Sequence, residues 1–187
     1  MKRIVLAGLM ALSLASMAMA SGPNLRWGQV VGVITAQGVE NPICATDQQG
    51  NCVGTIIHSG TFAWSTRSGT AAVNLTSGAA SFHVEGLVIN GTRFSGTAGP
   101  IGQVEGTLVC NLGEAGEEVL DTPAVSLSPE GDADFNGRIL GVPTFCDNPL
   151  FLIRIVSPAG ALGRWIATGV EGGPRGNAAL HSAVVGR

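Results

Sequence analysis

The most apolar stretch beyond the N-terminus is 149–169, PLFLIRIVSPAGALGRWIATG. Its arms, LFLIRIV and RWIATG, are filled with β-branched and aromatic residues, and the breaker-rich SPAGALG separates them. That pattern predicts a strand–turn–strand hairpin buried at the centre of a sheet. Other segments alternate instead. In ASFHVEGLVI, Phe82, Val84 and Val88 are set to point inward, while His83 and Glu85 point outward. In 103–112, Val104, Leu108 and Cys110 share one face, which places Cys110 inside.

Residues 26–36, RWGQVVGVITA, read as one strand, and 55–66 as strand material broken near Ser59-Gly60. Asn90-Gly91 reads as a two-residue type I′ turn into Thr92-Arg93-Phe94, because both central positions of that turn need φ > 0. Pro123 sits where a strand begins, and 132–140 reads as a further strand. The only helical signal is a weak one at 178–185. About ten short strands punctuated by turns predict an all-β protein. The expected architecture is a β-sandwich of immunoglobulin-like or related topology, with a β-barrel or jelly roll as the alternative.

The ends change the picture of where the chain works. Lys2 and Arg3 precede a short apolar run, and Ala18-Met19-Ala20 supplies the small residues of a cleavage site before Ser21. Residues 1–20 therefore read as a signal peptide, bacterial in character. The rest reads as a single β-sandwich domain over 21–170 and a flexible C-terminal tail over 171–187. No later run is suited to a membrane span, since Arg154, Pro158 and Arg164 interrupt the apolar hairpin. The expectation is a soluble secreted or periplasmic protein.

Charge narrows the partners. The 187-residue chain has a formal net charge of −3, and removing Lys2 and Arg3 takes it to −5. With no basic surplus, nucleic acid and anionic lipid are excluded as electrostatic partners. Lys2 is the only lysine and there is no Tyr. The mature protein therefore has no Schiff-base or Ser–Lys chemistry, and no Lys to guard its sheet edges. The 28 Gly and 9 Pro follow no strict period, which favours frequent turns over a collagen-like repeat.

Four cysteines in an exported chain imply two disulfides. Cys44 with Cys52 and Cys110 with Cys146 is the preferred pairing, because it joins nearest partners. Loop-closure entropy assigns roughly 2.5 kcal/mol to the short loop and about 4 kcal/mol to the long one. The absence of C-x-x-C argues against zinc.

Several groups have the right residue types for chemistry. Asp132, Asp134 and Asn136, followed by Gly137, match the first half of a calcium loop, where oxygen ligands alternate before a sharp turn. Pro143 stands where the closing carboxylate belongs, and the same alternation fits an exposed strand. Glu114, Glu117, Glu118 and Asp121 cluster, and two carboxylates are what glycoside hydrolysis requires. His58, His83 and His181 are the only histidines, without a nucleophile elbow nearby. Trp27, Trp64 and Trp165 would stack sugar rings if exposed, with Trp27 the best placed for it, but core packing is their ordinary role. The glycan-acceptor patterns at Asn74 and Asn90 are incidental behind a bacterial leader.

Together these readings point to a non-catalytic binding protein or an envelope or matrix component. Its partner would be a protein or a carbohydrate, and the long stapled loop at 37–54 the contact surface. A secreted hydrolase and a self-assembling structural subunit are the alternatives. No cofactor is implied beyond the Ca2+ pattern.

Overall fold

The computed structural model describes residues 24–171. The leader, His181, the weak helical signal at 178–185 and all of the tail after Glu171 lie outside the described residues. Within them there are fourteen strands and no helix. In chain order these are β1 (Asn24–Trp27), β2 (Gln29–Gly32), β3 (Ile43–Thr46), β4 (Cys52–Ile57), β5 (Trp64–Ser65), β6 (Ser68–Asn74) and β7 (Ala79–Glu85). They continue with β8 (Val88–Ile89), β9 (Gln103–Cys110), β10 (Glu118–Asp121), β11 (Val125–Ser126), β12 (Ala133–Arg138), β13 (Leu150–Val156) and β14 (Leu162–Val170).

Two antiparallel sheets make a β-sandwich. The four-stranded sheet runs β1-β6-β7-β12, and the larger one runs β10-β9-β13-β14-β2 with β11 also on β9. The consecutive strands β6 and β7 are neighbours in the smaller sheet, and β13 and β14 are neighbours in the larger one. The hairpin expected at 149–169 is β13–β14, at the centre of the larger sheet. Its turn closes by the Ser157 N–H on the Ala161 carbonyl and the Gly160 N–H on the Ser157 carbonyl, 2.9 and 2.8 Å.

The two sheets differ in how they are covered, and the sequence patterns follow from that. In β6 and β7 every second residue is buried, so one face meets the core and the other meets solvent. In β9 and β13 the alternation disappears. Leu108 and Phe151 face the core, yet Thr107, Val109 and Leu152 on the opposite face are also fully buried. A strand buried on both faces reads as a continuous apolar run, which is why LFLIRIV lacks a period.

Phe151 occupies the middle of the core. Its ring lies 5.3 Å from the Trp27 ring and 6.0 Å from the Phe82 ring, and Phe82 in turn stacks on Phe135 at 5.7 Å. Gly106 makes room for it, since a Cβ there would lie 2.6 Å from Phe151 Cζ. Gly169 does the same for Trp27, whose Cγ would be 2.6 Å from an added Cβ.

Three local readings are corrected. Residues 26–36 are not one strand: the chain breaks at Gly28, and β1 joins the small sheet while β2 joins the large one. A sandwich needs such crossovers to close its corner, and no local pattern announces them. Asn90-Gly91 does not make a type I′ hairpin, because Gly91 has φ 72° while Asn90 does not share its positive φ. Instead β8 pairs with β5, through Trp64 opposite Ile89. Val88 is not the inward residue either. Gly86, at φ 62°, shifts the phase of the chain, so Leu87 and Ile89 are buried instead.

Both disulfides have the expected pairing. Cys110 and Cys146, 4.9 Å apart at Cα, are buried and tie the end of β9 to the loop before β13. Cys44 and Cys52, 5.5 Å apart at Cα, link β3 to β4.

Replacing Phe151 by Ala is expected to cost about 3–5 kcal/mol, and Gly106→Ala about 1–3 kcal/mol by overpacking the same contact. Gly102→Ala, where an added Cβ meets nothing within 4 Å, should stay within about 0.5 kcal/mol. Urea unfolding of the three variants measures the order.

Candidate functional site

The long loop at 37–54 is largely a hairpin of its own. β3 and β4 pair only with each other among the described residues. The turn between them is built on Asp47, whose Oδ1 accepts from the N–H groups of Gln49 and Asn51 at 2.9 and 2.8 Å. Those bonds hold the Asp47 carboxyl below the usual carboxylate range, Asn51 contributing most. A lone two-stranded hairpin is marginal in water, so the Cys44–Cys52 bond does what a third strand would do.

The roots of this excursion are laced to the large sheet. The Val33 N–H donates to the Ile166 carbonyl, Trp165 N–H to the His58 carbonyl and Gly60 N–H to the Trp165 carbonyl, at 2.7–3.0 Å. Arg164 pairs with Glu40 and also donates to the Ser59 carbonyl at 2.8 Å. His58 lies 2.8 Å from the other Glu40 oxygen. Arg164, and after it His58, hold the Glu40 carboxyl below its ordinary range. His58 is thus a surface partner of a carboxylate rather than part of a nucleophilic triad.

Five of the nine exposed large hydrophobic residues fall between 34 and 62. Ile34, which is 87% exposed, Val39 and Phe62 lie at the roots, and Val53 and Ile56 lie on β4. The Gly38 N–H bonds the Thr61 carbonyl at 2.8 Å, which brings the Val39 and Phe62 segments together.

The solvent face of the four-stranded sheet gathers a second set of residues. His83 Nδ1–H donates to Asp134 Oδ1 at 2.6 Å, and its Nε2 lies 3.5 Å from Glu85. Glu85 also accepts from Ser68 and Arg67, at 3.0 and 3.4 Å. The bond from Asp134 raises the His83 pKa above its ordinary value, against the opposing effect of burial.

The three calcium-pattern residues sit on or beside this face. Asp132 accepts from the Gly86 N–H at 2.8 Å. Asp134 and Asn136 are spread along β12, paired in register with His83 and Ser81. An extended strand separates alternate residues by about 7 Å, unlike the tight loop that converges ligands on calcium. Among the described residues no three His, Cys, Asp or Glu side chains gather as a metal ion would need.

The acidic run at 114–121 does not stay together. Glu117 accepts from the Gly113 N–H at 2.7 Å, and Thr55, first, and that N–H hold its carboxyl low. Asp121 turns to Thr107, whose hydroxyl donates at 2.6 Å, and lies 4.0 Å from Arg154. There it meets Glu105, a residue the spacing arguments passed over. Burial, then repulsion from Asp121, pushes the Glu105 pKa up to about 6, with Arg154 opposing. The available signal was that Glu105 and Arg154 are each the lone charge in an apolar strand, and they are cross-strand partners. All three tryptophans are buried, Trp27 included, so none presents a ring for sugar stacking.

These features define an all-β sandwich with two disulfides, as suits an oxidising compartment outside the cytoplasm. No helix among the described residues is long and apolar enough to cross a membrane. Comparison of the chain with protein families, curated proteins and solved structures returns no match, so the surfaces themselves carry the functional reading.

Two titrations test the charged groups. Glu105 resists ionisation when folded, so stability falls as pH rises from about 4.5 to about 6 and then levels off. Allowing for its partial exposure, Glu105→Gln should remove about 1 kcal/mol of that fall, read as a narrower gap between melting points at pH 4.5 and 7. The His83 contribution has the same sign at higher pH: it is present below pH ~6.5 and lost as pH rises through the raised folded value. In an NMR titration, Asp134→Asn should lower the His83 midpoint toward 6.5.

Proposed function

We propose that this is an exported, non-catalytic binding protein or envelope component that meets a protein partner through the Cys44–Cys52 hairpin. The leader-like sequence at 1–20 supports export, and the sandwich of the described residues supplies a scaffold for the hairpin. The observation that carries the reading is the placement of apolar surface. A strand pair that joins no other strand among the described residues carries exposed Val53 and Ile56, and exposed Ile34, Val39 and Phe62 surround its roots. Apolar groups left in water on a covalently fixed hairpin cost solvation without helping the fold, which is the signature of a contact surface. An unpaired strand edge adds main-chain groups for a partner strand.

A photo-crosslinking residue at Ile56, with one at exposed Thr76 as control, tests this in cells that export the full chain. The expected result is one discrete heteromeric adduct from position 56, absent from position 76 and lost when Cys44 and Cys52 are both Ser. An adduct of twice the chain mass would instead identify the self-assembling subunit. No adduct from position 56 would overturn the reading.

A further inference from the structure

The solvent face of the four-stranded sheet carries a feature that the hairpin does not explain. Arg26, Ala72, Ser81 and Asn136 are register partners and form one row across all four strands. In the next row Asn24 stands opposite Asn74, and Arg138 stands opposite Ala79. Long polar side chains stand on the two outer strands, Ala72, Ala79 and Ser81 keep most of the middle low, and Asn74 on β6 donates to Asn24 at 2.7 Å. The result is a shallow trough of about 190 Å³.

The arginines single this trough out. Of the six described, Arg67, Arg154 and Arg164 have carboxylate partners, and Arg93 lies over the Phe94 ring at 4.7 Å. Arg26 and Arg138 have no ion pair among the described residues; Arg26 lines the trough from β1, and Arg138, on β12 in the neighbouring row, borders the adjoining hollow beside Ser77 and Leu140. In a chain of net charge −3, cations are few, yet two are left without acidic partners on one face. The carboxylates of that face lie toward the other end of the strands and are engaged: Asp134 by His83, Glu85 by Ser68 and Arg67, and Asp132 by the Gly86 N–H.

We propose that the trough binds an acidic oligosaccharide, one bearing carboxylate or sulfate groups. Guanidinium groups match the planar, forked geometry of such anions. Asn136, Ser81 and the side-chain amide of Asn24 supply donors and acceptors suited to hydroxyl groups. The Ala floor lets a sugar ring approach the sheet. Three strand spacings separate the rims by roughly 14 Å at Cα, and the arginine side chains reach inward from there. An extended peptide fits less well, because it docks by pairing with a strand edge, whereas the main chain on this face is already paired.

The test uses the full exported chain and two probes, trigalacturonate and a sulfated trisaccharide, with a neutral trisaccharide as control, followed by calorimetry. Saturable binding of at least one acidic probe is expected, weakened by salt. In the double variant Arg26→Gln and Arg138→Gln it should fall at least tenfold while the urea midpoint is unchanged. Three results would overturn the proposal: neither acidic probe binds, the neutral sugar binds as well, or binding survives the double variant. A hairpin variant such as Ile56→Thr should leave glycan binding intact, which separates this site from the proposed protein contact.

Discussion

The sandwich rests on one contact, the Phe151 ring against the bare Cα of Gly106. β9 and β13 are neighbours in the large sheet, and the ring from one can lie over the other only because Gly106 has no side chain. Lying flat there, it meets Trp27 and Phe82 from the opposite sheet. Gly169 repeats the device for Trp27. A chain with 5% aromatic residues joins its two layers by spending glycines to seat the few rings it has. Packing of this kind is intolerant of added volume, because interiors are already close to crystal density.

From that seat follows the unequal character of the two sheets. β9 and β13 are buried on both faces, so a charge on their outer side is expensive and must be matched. Glu105 is only partly matched: Arg154 offsets it, Asp121 opposes it, and its pKa rises. The four-stranded sheet has an open outer face, where charges cost little. Arg67, His83, Glu85 and Asp134 pair there in water, and Arg26 and Arg138 stand without acidic partners among the described residues. The same residue types thus carry different chemistry according to which sheet presents them.

What was legible in the sequence was what one strand can state by itself. The two-sided burial of LFLIRIV, the inward face of Cys110 and the outward face of His83 all follow from period and composition. What was not legible depends on register between distant strands. His83 meets Asp134 only because β7 and β12 pair with those two residues opposite. Glu105 meets Arg154 for the same reason. The break at Gly28 is a further case: RWGQVVGVITA holds two glycines, Gly28 and Gly32, and only the need to turn the corner between sheets decides that the chain divides at the first. Asn90-Gly91 had the right turn chemistry, but Trp64–Ser65 was a better partner for Val88–Ile89 than the local return would have been.

With Lys2 the only lysine, the sheet edges of the described residues must avoid pairing with other chains by other means. The edge at β2 is capped by the chain itself, with the Thr66 hydroxyl on the Val30 carbonyl at 2.7 Å and the Trp64 N–H on the Val33 carbonyl at 2.8 Å. The opposite edge is cut into β10 and β11, with Pro123 between them and Glu118 and Asp121 along it. β12 presents Asp134, Asn136 and Arg138, and β1 is only four residues long. Short, charged, proline-broken or covered edges are the standard guards against edge-to-edge association. The β3–β4 hairpin is short too, with Pro42 just before β3, but it differs in what it exposes. It carries Val53 and Ile56 in water and pairs with no other strand among the described residues. A disulfide-fixed hairpin outside the two main sheets, with apolar residues in water, is the surface on which the proposed protein contact rests.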